Sequence, residues 1–562
     1  MPPNARGRCV TARAFSLAEL CGGPANDRPY LLYCDARIDD RQKLAASLGL
    51  PADAAAADFI LAAFGKWGAD CPQHLIGDYA FVIADAGTGS LFCARDHIGA
   101  RPFCYALSGG VFHVGAAPGP IVQSSPELGE IDPEFAAIKI ARKQYFSLDR
   151  TFYKPIRKLA PGCTLTVTEN GADLCRYWDP AAVTGEFGGS DEEAVAIAAD
   201  LLNQAAADRL HGYRQPAVHL SGGLDSSAVA ALAVKHQRAN AGPDPRAYAW
   251  YQNSAGAVDD ETRWIDAASR ALALSINAPR QSVAGITELL RADWCDGPNA
   301  SNLYHEDAVQ RLAQTHGVDT ILSGWGGDES LSFNGRGYQS ELLGKRRFGE
   351  LARISGGVGP ISLLRGIKRA AGERSIPRKD SGKNRVTGEN YLTAGAVQCL
   401  PAKQNQPLDF TNARSAMIGL MELGSLTARM EDWSISGRKR GIDYAYPLLD
   451  RRVMEFALSL PGHFFLRPGS RRWIMRQVLD PDLPALVRDN NSKTELARVE
   501  ALKETLDAAI RHCGKLLDEC EDFSGREGYV DIDRLREDIR SRRGETGYSS
   551  GWKTRALQFL KF

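Results

Sequence analysis

A chain of 562 residues with 68 Lys and Arg against 68 Asp and Glu has room for two or more domains and carries no formal net charge. That balance gives no global electrostatic case for nucleic acid or an anionic membrane. No apolar run approaches the roughly 20 residues of a membrane span. The segment Met1–Arg8 lacks the apolar core of a signal peptide, so a cytoplasmic location is expected. The twelve cysteines form no CxxC pair and no cluster at zinc spacing, and read as reduced thiols acting as small apolar residues.

The stretch to about residue 180 reads as mostly β with some helix. Tyr30–Tyr33 and Ala80–Ala84 are apolar runs of strand length. Asp58–Gly68 reads as a helix ended by glycine. Together they predict a layered α+β domain over residues 1–183. The Gly-rich segment Thr184–Ser190 marks a boundary, and residues 184–562 form the second unit. Its first helix spans Glu193–Leu210 by spacing of apolar residues. Strands at Ala217–Leu220, Ala247–Tyr251 and Thr320–Leu322 alternate with helices at Ala228–Ala233 and Glu261–Leu274. Such alternation predicts a parallel sheet covered on both faces.

Two motifs sit at the carboxyl ends of these strands, where ligands bind in open α/β sheets. Ser221-Gly222-Gly223-Leu224-Asp225-Ser226-Ser227 follows the strand ending at Leu220. Paired glycines admit a ligand close to the backbone. The turn amides and the helix N-terminus favour an anion. Ser221, Ser226 and Ser227 add hydroxyls. The expected ligand is the pyrophosphate of ATP. No Gly-Lys-Ser/Thr closes the loop, so it is not a Walker motif. Ser323-Gly324-Trp325-Gly326-Gly327-Asp328-Glu329 follows the other strand and should face the same site. Asp225 and Asp328 are expected to share Mg²⁺ with the ATP phosphates, since magnesium needs only a few carboxylates plus phosphate and water oxygens. The alternative is that Asp328 and Glu329 merely cap a helix. From Lys345 to Arg385 twelve Lys and Arg make a basic segment, read either as a solvated face or as a wall for an anionic substrate or partner.

These strings resemble those of the asparagine synthetase superfamily. The matching runs are Gly77–Phe81, Ala94–Phe103, Leu159–Gly162 and Arg176–Trp178 in the first domain. In the second they are the two loops above and Gly441–Asp450. The resemblance implies a glutaminase-like domain of N-terminal-nucleophile type followed by an α/β domain of the ATP-pyrophosphatase type. Glutamine-dependent members begin with a cysteine after the initiator methionine, where this chain reads Met1-Pro2-Pro3, with Cys9 followed by Val10-Thr11. The first domain is therefore expected to keep the fold without the chemistry. Asparagine synthetases carry a glutamate, and β-lactam-forming relatives a tyrosine, at the position of Trp325, whose indole donates only. In these departures the chain looks most like the lasso peptide macrocyclases.

That likeness implies adenylation of an Asp or Glu side chain of a precursor peptide. The peptide's N-terminal amine then attacks, giving an isopeptide bond, AMP and pyrophosphate. The alternative is an asparagine or β-lactam synthetase using ammonia or an internal amine. ATP and Mg²⁺ are the implied cofactors. A leader-binding or protease maturation protein is the implied partner. Leu220, Ser221, Gly222, Gly223, Asp225, Ser226, Ser227, Ser323 and Gly324 are expected around the phosphates, and Trp325 and Arg472 in the substrate pocket. Lys493 matches a lysine that stabilises the transition state in relatives, with Arg472 and Arg476 as second candidates. Asp443 and Glu431 are the candidate bases, since burial can raise a carboxylate's pKa toward an amine's working range. Asp450 is expected to cap or orient the next helix.

Overall fold

A computed structural model describes residues 12–16, 30–141, 146–250, 261–374, 391–401, 408–479, 482–490, 496–541 and 548–562. Its strands, in chain order, begin with β1 (Ala12–Ser16), β2 (Tyr30–Ile38), β3 (Gly77–Asp85), β4 (Ser90–Arg95), β5 (Cys104–Ser108) and β6 (Val111–Gly115). They continue with β7 (Arg157–Lys158), β8 (Cys163–Thr168) and β9 (Gly171–Arg176). Two antiparallel sheets result, in the orders β2-β3-β4-β8-β9 and β1-β6-β5-β7.

Strand periodicity explains how they stack. On β3, Ala80, Val82 and Ala84 point into a core shared with Phe103 and Phe112 near and on the other sheet. Tyr79, Phe81 and Ile83 point the opposite way, onto Phe59, Ile60 and Ala63 of the helix Ala56–Trp67. The outer face of the second sheet, through Cys104 and Ala106, packs on Phe135 and Ala136 of the helix Pro133–Ala141. The domain is therefore layered helix, sheet, sheet, helix.

The chain enters its second half through Ser190, which caps the helix Asp191–Leu210. The Ser190 hydroxyl accepts from Glu193 N, and the Glu193 carboxylate accepts from Ser190 N. The strands β10 (Pro216–His219), β11 (Arg246–Tyr248), β12 (Ile276–Asn277), β13 (Thr320–Leu322) and β14 (Asp443–Ala445) form one parallel sheet. Its order is β12-β11-β10-β13-β14. The strand expected over Ala247–Tyr251 is shorter than its apolar run, and Tyr251 lies outside the described residues. Chain order runs outward in both directions from β10 and β13. The switch point lies between these two strands, and their carboxyl ends open there. Pro216 pairs with Thr320 and Val218 with Leu322, so Ser221 and Ser323 leave the sheet side by side.

The helices Leu496–Asp518, Ile532–Arg540 and Tyr548–Leu560 turn back to the first domain. Leu557, Phe559 and Leu560 share a core with Phe135 and Ile140. The buried Arg555 donates to Ile140 O at 2.8 Å. Ten described cysteines are all free thiols. No helix among the described residues is long and apolar enough to cross a membrane.

Candidate active site

The glycine loop is built as its sequence requires. Leu220, just beyond β10, has its side chain fully buried, and Gly223 caps the helix Leu224–Ala239. Gly222 has φ +68, and a Cβ there would lie 2.7 Å from Trp264 Cβ and 2.8 Å from Ile265 N. Only glycine meets both demands. Ser226 Oγ accepts from Ser221 N at 3.1 Å, shares a 2.8 Å hydrogen bond with Ser221 Oγ and donates to Gly223 O at 3.2 Å. The Ser227 hydroxyl is buried without a partner among the described residues.

The second loop interlocks with the first through missing side chains. A Cβ on Gly324 would fall 2.5 Å from Ser226 N. One on Gly327 would fall 2.5 Å from the Asp225 carboxyl carbon. The two motifs, a hundred residues apart in sequence, form one surface. Gly327–Glu329 is a single 3₁₀ turn, and Asp328 faces Asp225 across Arg472. Arg472 donates from one nitrogen to both Asp225 oxygens at 3.0 Å and from another to Asp328. Ser332 also donates to Asp225. Two carboxylates therefore converge on one cation at the switch point. Their donor set suits Mg²⁺ completed by phosphate oxygens.

The two candidate bases are placed differently. Glu431 accepts from Arg95 at 2.8 Å and from Lys158 at 2.6 Å, and these cations hold its pKa below the usual range despite burial. Asp443 accepts from Arg101 at 2.7 Å and from Tyr213, with Arg438 nearby. Its carboxyl is likewise held far below the ordinary value, with Arg101 and Arg438 overcoming the effect of burial. The expectation that burial prepares either as a base needs correcting. Both are ionised acceptors in contacts between the domains, and neither has a raised proton affinity. Asp450 caps the helix Arg451–Ser459 through Arg452 N at 2.9 Å and binds Arg209 at 2.6 Å. Arg476 donates to Arg471 O at 2.7 Å and to Asn490 O at 3.1 Å, which ties it to the loop rather than to the cradle. Lys493 lies outside the described residues.

Trp325 stands between the cradle and the helix Ser425–Arg438. The Arg429 guanidinium carbon lies 4.0 Å from its ring centroid and 5.8 Å from that of Trp433. Trp250, two residues beyond β11, meets Trp433 edge to face at 5.7 Å and donates to Glu306 at 2.8 Å. The sequence reading missed Arg429, Trp433 and Trp250. The i, i+4 spacing of Arg429 and Trp433 on one helix was the available signal.

It also missed Asp432. This carboxylate accepts from Asn299 N at 3.1 Å and Asn302 Nδ2 at 2.7 Å. Burial pushes its pKa up to about 6, and Glu431 adds to the rise. Asp432, Glu431, Lys139 and Lys158 line a cavity of about 90 Å³ between the domains. Burial brings Lys139 down to about 8, helped by Lys158.

A layered β domain joined to a parallel sheet, with an anion loop and paired carboxylates at its switch point, defines a two-domain nucleotide-dependent enzyme. The asparagine synthase profile matches residues 198–559, and a glutamine amidotransferase domain profile matches residues 41–178. The chain belongs to the asparagine synthase family. At that level it is an ATP-dependent amide-bond-forming ligase.

Asparagine synthetase [glutamine-hydrolyzing] 3 of Bacillus subtilis is 23% identical over 449 residues, covering 76% of this chain and 68% of that protein. A putative asparagine synthetase [glutamine-hydrolyzing] of Mycobacterium tuberculosis is 25% identical over 476 residues, with the same coverage. The amidase chyE of Penicillium rubens is 30% identical over 186 residues, covering 32% of this chain and 27% of that protein. Among solved structures, glutamine phosphoribosylpyrophosphate amidotransferase from B. subtilis aligns at TM-score 0.20 and 14% identity, over 39% of this chain and 46% of that one. The chain thus spans about half of that structure, and the superposition is too distant to bear on the fold.

Proposed function

We propose that this protein activates a carboxylate as its acyl-adenylate and passes the acyl group to ammonia or to an amine within the same substrate. A carboxylate oxygen attacks the α-phosphorus of ATP, the α–β phosphoanhydride bond breaks and pyrophosphate leaves. The amine then attacks the acyl carbon, loses a proton and releases AMP. The ATP-pyrophosphatase type of fold fits this chemistry. Ser221, Gly222, Gly223, Ser226 and Ser227 would hold the departing pyrophosphate, with Leu220, Ser323 and Gly324 shaping the floor. Mg²⁺ would sit between Asp225 and Asp328 and screen the phosphate charge. The single observation that carries the reading is the convergence of those two carboxylates, on one cation, at the mouth of the glycine loop.

A second reading, closure of a precursor peptide through an isopeptide bond, has one supporting observation. Val358, Ile361 and Leu364 are 84%, 67% and 65% exposed beside the exposed cations Arg365, Lys368 and Arg369. Such a face suits an acidic peptide or a maturation partner that delivers one. The part of the basic segment over residues 375–390 lies outside the described residues.

The test is ATP-dependent release of pyrophosphate and AMP, followed by mass spectrometry of the acyl product. Aspartate with ammonium giving asparagine supports the first reading. Loss of one water from a precursor peptide supports the second. Release of ADP and phosphate instead would overturn both.

A further inference from the structure

Beyond the second loop the chain forms three successive helices, Tyr338–Gly344, Phe348–Ile354 and Pro360–Arg374. The third lies close on the other two through small residues. A Cβ on Gly366 would fall 2.7 Å from Leu351 Cγ and from Ser355 Oγ. Ser340 Oγ donates to Ala370 O at 3.0 Å. Ser362, Gly366 and Ala370, four residues apart, are all buried, so this face is fixed inward. The opposite face carries Ile361, Leu364, Arg365, Lys368 and Arg369, all exposed, with the exposed Val358 just ahead of the helix.

The charge on this ridge is unbalanced. Glu373, the helix's one acidic residue, turns inward and accepts from Gly337 N at 3.2 Å and Ser340 Oγ at 3.4 Å. Lys345 and Arg347 are paired with Glu341 and Glu350. Arg353, Arg365, Lys368 and Arg369 enter no salt bridge among the described residues. The ridge also adjoins the nucleotide site. Only Phe333–Gly337 separate the first of the three helices from Ser332, which donates to Asp225. A Cβ on Gly335 would fall 2.5 Å from Leu466 Cβ, in the hairpin that leads to Arg472.

The arrangement of the exposed side chains selects the kind of partner. At about 100° per residue, Lys368 falls between Ile361 and Leu364 around the helix, and Arg365 lies about 40° from Ile361. Apolar and cationic groups are therefore sorted along the axis, not around it. A helix that lies on a membrane is sorted around its axis, with the apolar side in the lipid. A bilayer lying along this ridge would bury Lys368 together with Ile361 and Leu364. A polypeptide laid along it meets aliphatic side chains first and cations a turn later.

We propose that this ridge docks an acidic polypeptide segment with aliphatic side chains at one end and carboxylates one to two turns on. The aliphatic contacts take exposed apolar surface out of water, and the carboxylates complement Arg365, Lys368 and Arg369. The proposal deepens the second reading of the site and rests on that reading only for calling the segment a substrate or its carrier.

The test uses the full chain and a fluorescent synthetic helical peptide with leucines on one half of a face and glutamates on the other half. The controls are an isomer of the same composition in scrambled order and vesicles of equal parts phosphatidylglycerol and phosphatidylcholine. Anisotropy reads the binding. The wild type should bind the patterned peptide at least about tenfold more tightly than the isomer. I361S/L364S and R365E/K368E/R369E should each weaken it at least about tenfold. All five side chains are exposed, so both variants should keep the wild-type melting temperature, and should one melt early the other decides. Equal affinity for the two peptides, or wild-type affinity in a folded variant, overturns the proposal. Vesicle binding without peptide binding overturns it in favour of a lipid surface. Failure of the ligase reading would appear separately, as absent pyrophosphate release with intact peptide binding.

Discussion

One nitrogen of Arg472 lies 3.0 Å from each carboxylate oxygen of Asp225, while its neighbour nitrogen binds Asp328. Arg472 reaches this position from a left-handed backbone, φ 57, which a side chain with a Cβ adopts only under constraint. The guanidinium occupies the place where a divalent cation would meet both carboxylates. If Mg·ATP binds here as proposed, Arg472 would have to exchange its carboxylates for phosphate. Asp225→Ala removes the shared acceptor and leaves Arg472 half paired. Pyrophosphate release is expected to fall at least about 10²-fold, the usual loss when one charge-stabilising group is deleted. Arg472→Ala should sharpen Mg²⁺ affinity in the absence of ATP, measured by calorimetry. Unaltered Mg²⁺ binding would separate the arginine from the metal site.

Gly222 is the tightest point of the cradle. Its positive φ and the 2.7 Å approach to Trp264 leave no room for a methyl group. Gly222→Ala is expected to cost about 2 kcal/mol or more from backbone strain and overpacking together. The loop should open, so ATP affinity falls further than the melting temperature alone accounts for. Retained ATP binding in a destabilised variant would show that the loop does not hold phosphate.

How much of this was legible in sequence follows from distance along the chain. The two loops were readable because each directly follows a short apolar strand, the first running into a helix and the second into a 3₁₀ turn, and parallel pairing of β10 with β13 brings them together. The roles of Asp443 and Glu431 were not. Their partners Arg101 and Arg95 lie 342 and 336 residues away, in a string that had been matched only for its likeness to the first domain of the superfamily. No periodicity encodes a pairing between domains. Asp432 was hidden by its neighbour. Adjacent helical residues point about 100° apart, so Glu431 meets Arg95 and Lys158 while Asp432 meets two asparagines. Arg429 drew no notice because a lone arginine on a helix reads as a solvated one.

The interdomain carboxylates make a prediction about acid. Glu431 and Asp443, bound by cations of the first domain, have pKa values lowered by those partners. A carboxylate whose folded pKa is depressed contributes stability that is present above its unfolded pKa, near 4. That contribution is lost as pH falls through the folded value. The interdomain contacts should therefore be at full strength at neutral pH and weaken progressively as pH falls below about 4 toward the lowered folded values. Glu431→Gln should flatten this acid limb. At pH 7 it should cost about 3–5 kcal/mol, because the buried Arg95 and the part-buried Lys158 lose their counter-charge. Chemical denaturation across pH 3–7 measures both effects. A variant as stable as the wild type at pH 7 would show that the triad is energetically idle.

Asp432 should behave oppositely. Its folded pKa, about 6, is raised above the unfolded value by burial. Its contribution to stability is therefore present below the unfolded pKa and is lost as pH rises through about 6. Asp432→Asn should gain stability relative to the wild type between pH 5 and 8 and show no difference near pH 3. The same raised pKa suits a group that accepts a proton from an amine at neutral pH. The pH–rate profile of amide formation should then rise through about pH 6 in the wild type. In Asp432→Asn that limb should vanish while adenylation, read as pyrophosphate release, persists. Loss of both steps together would assign Asp432 to holding the cavity's shape, through Asn299 and Asn302, rather than to the proton.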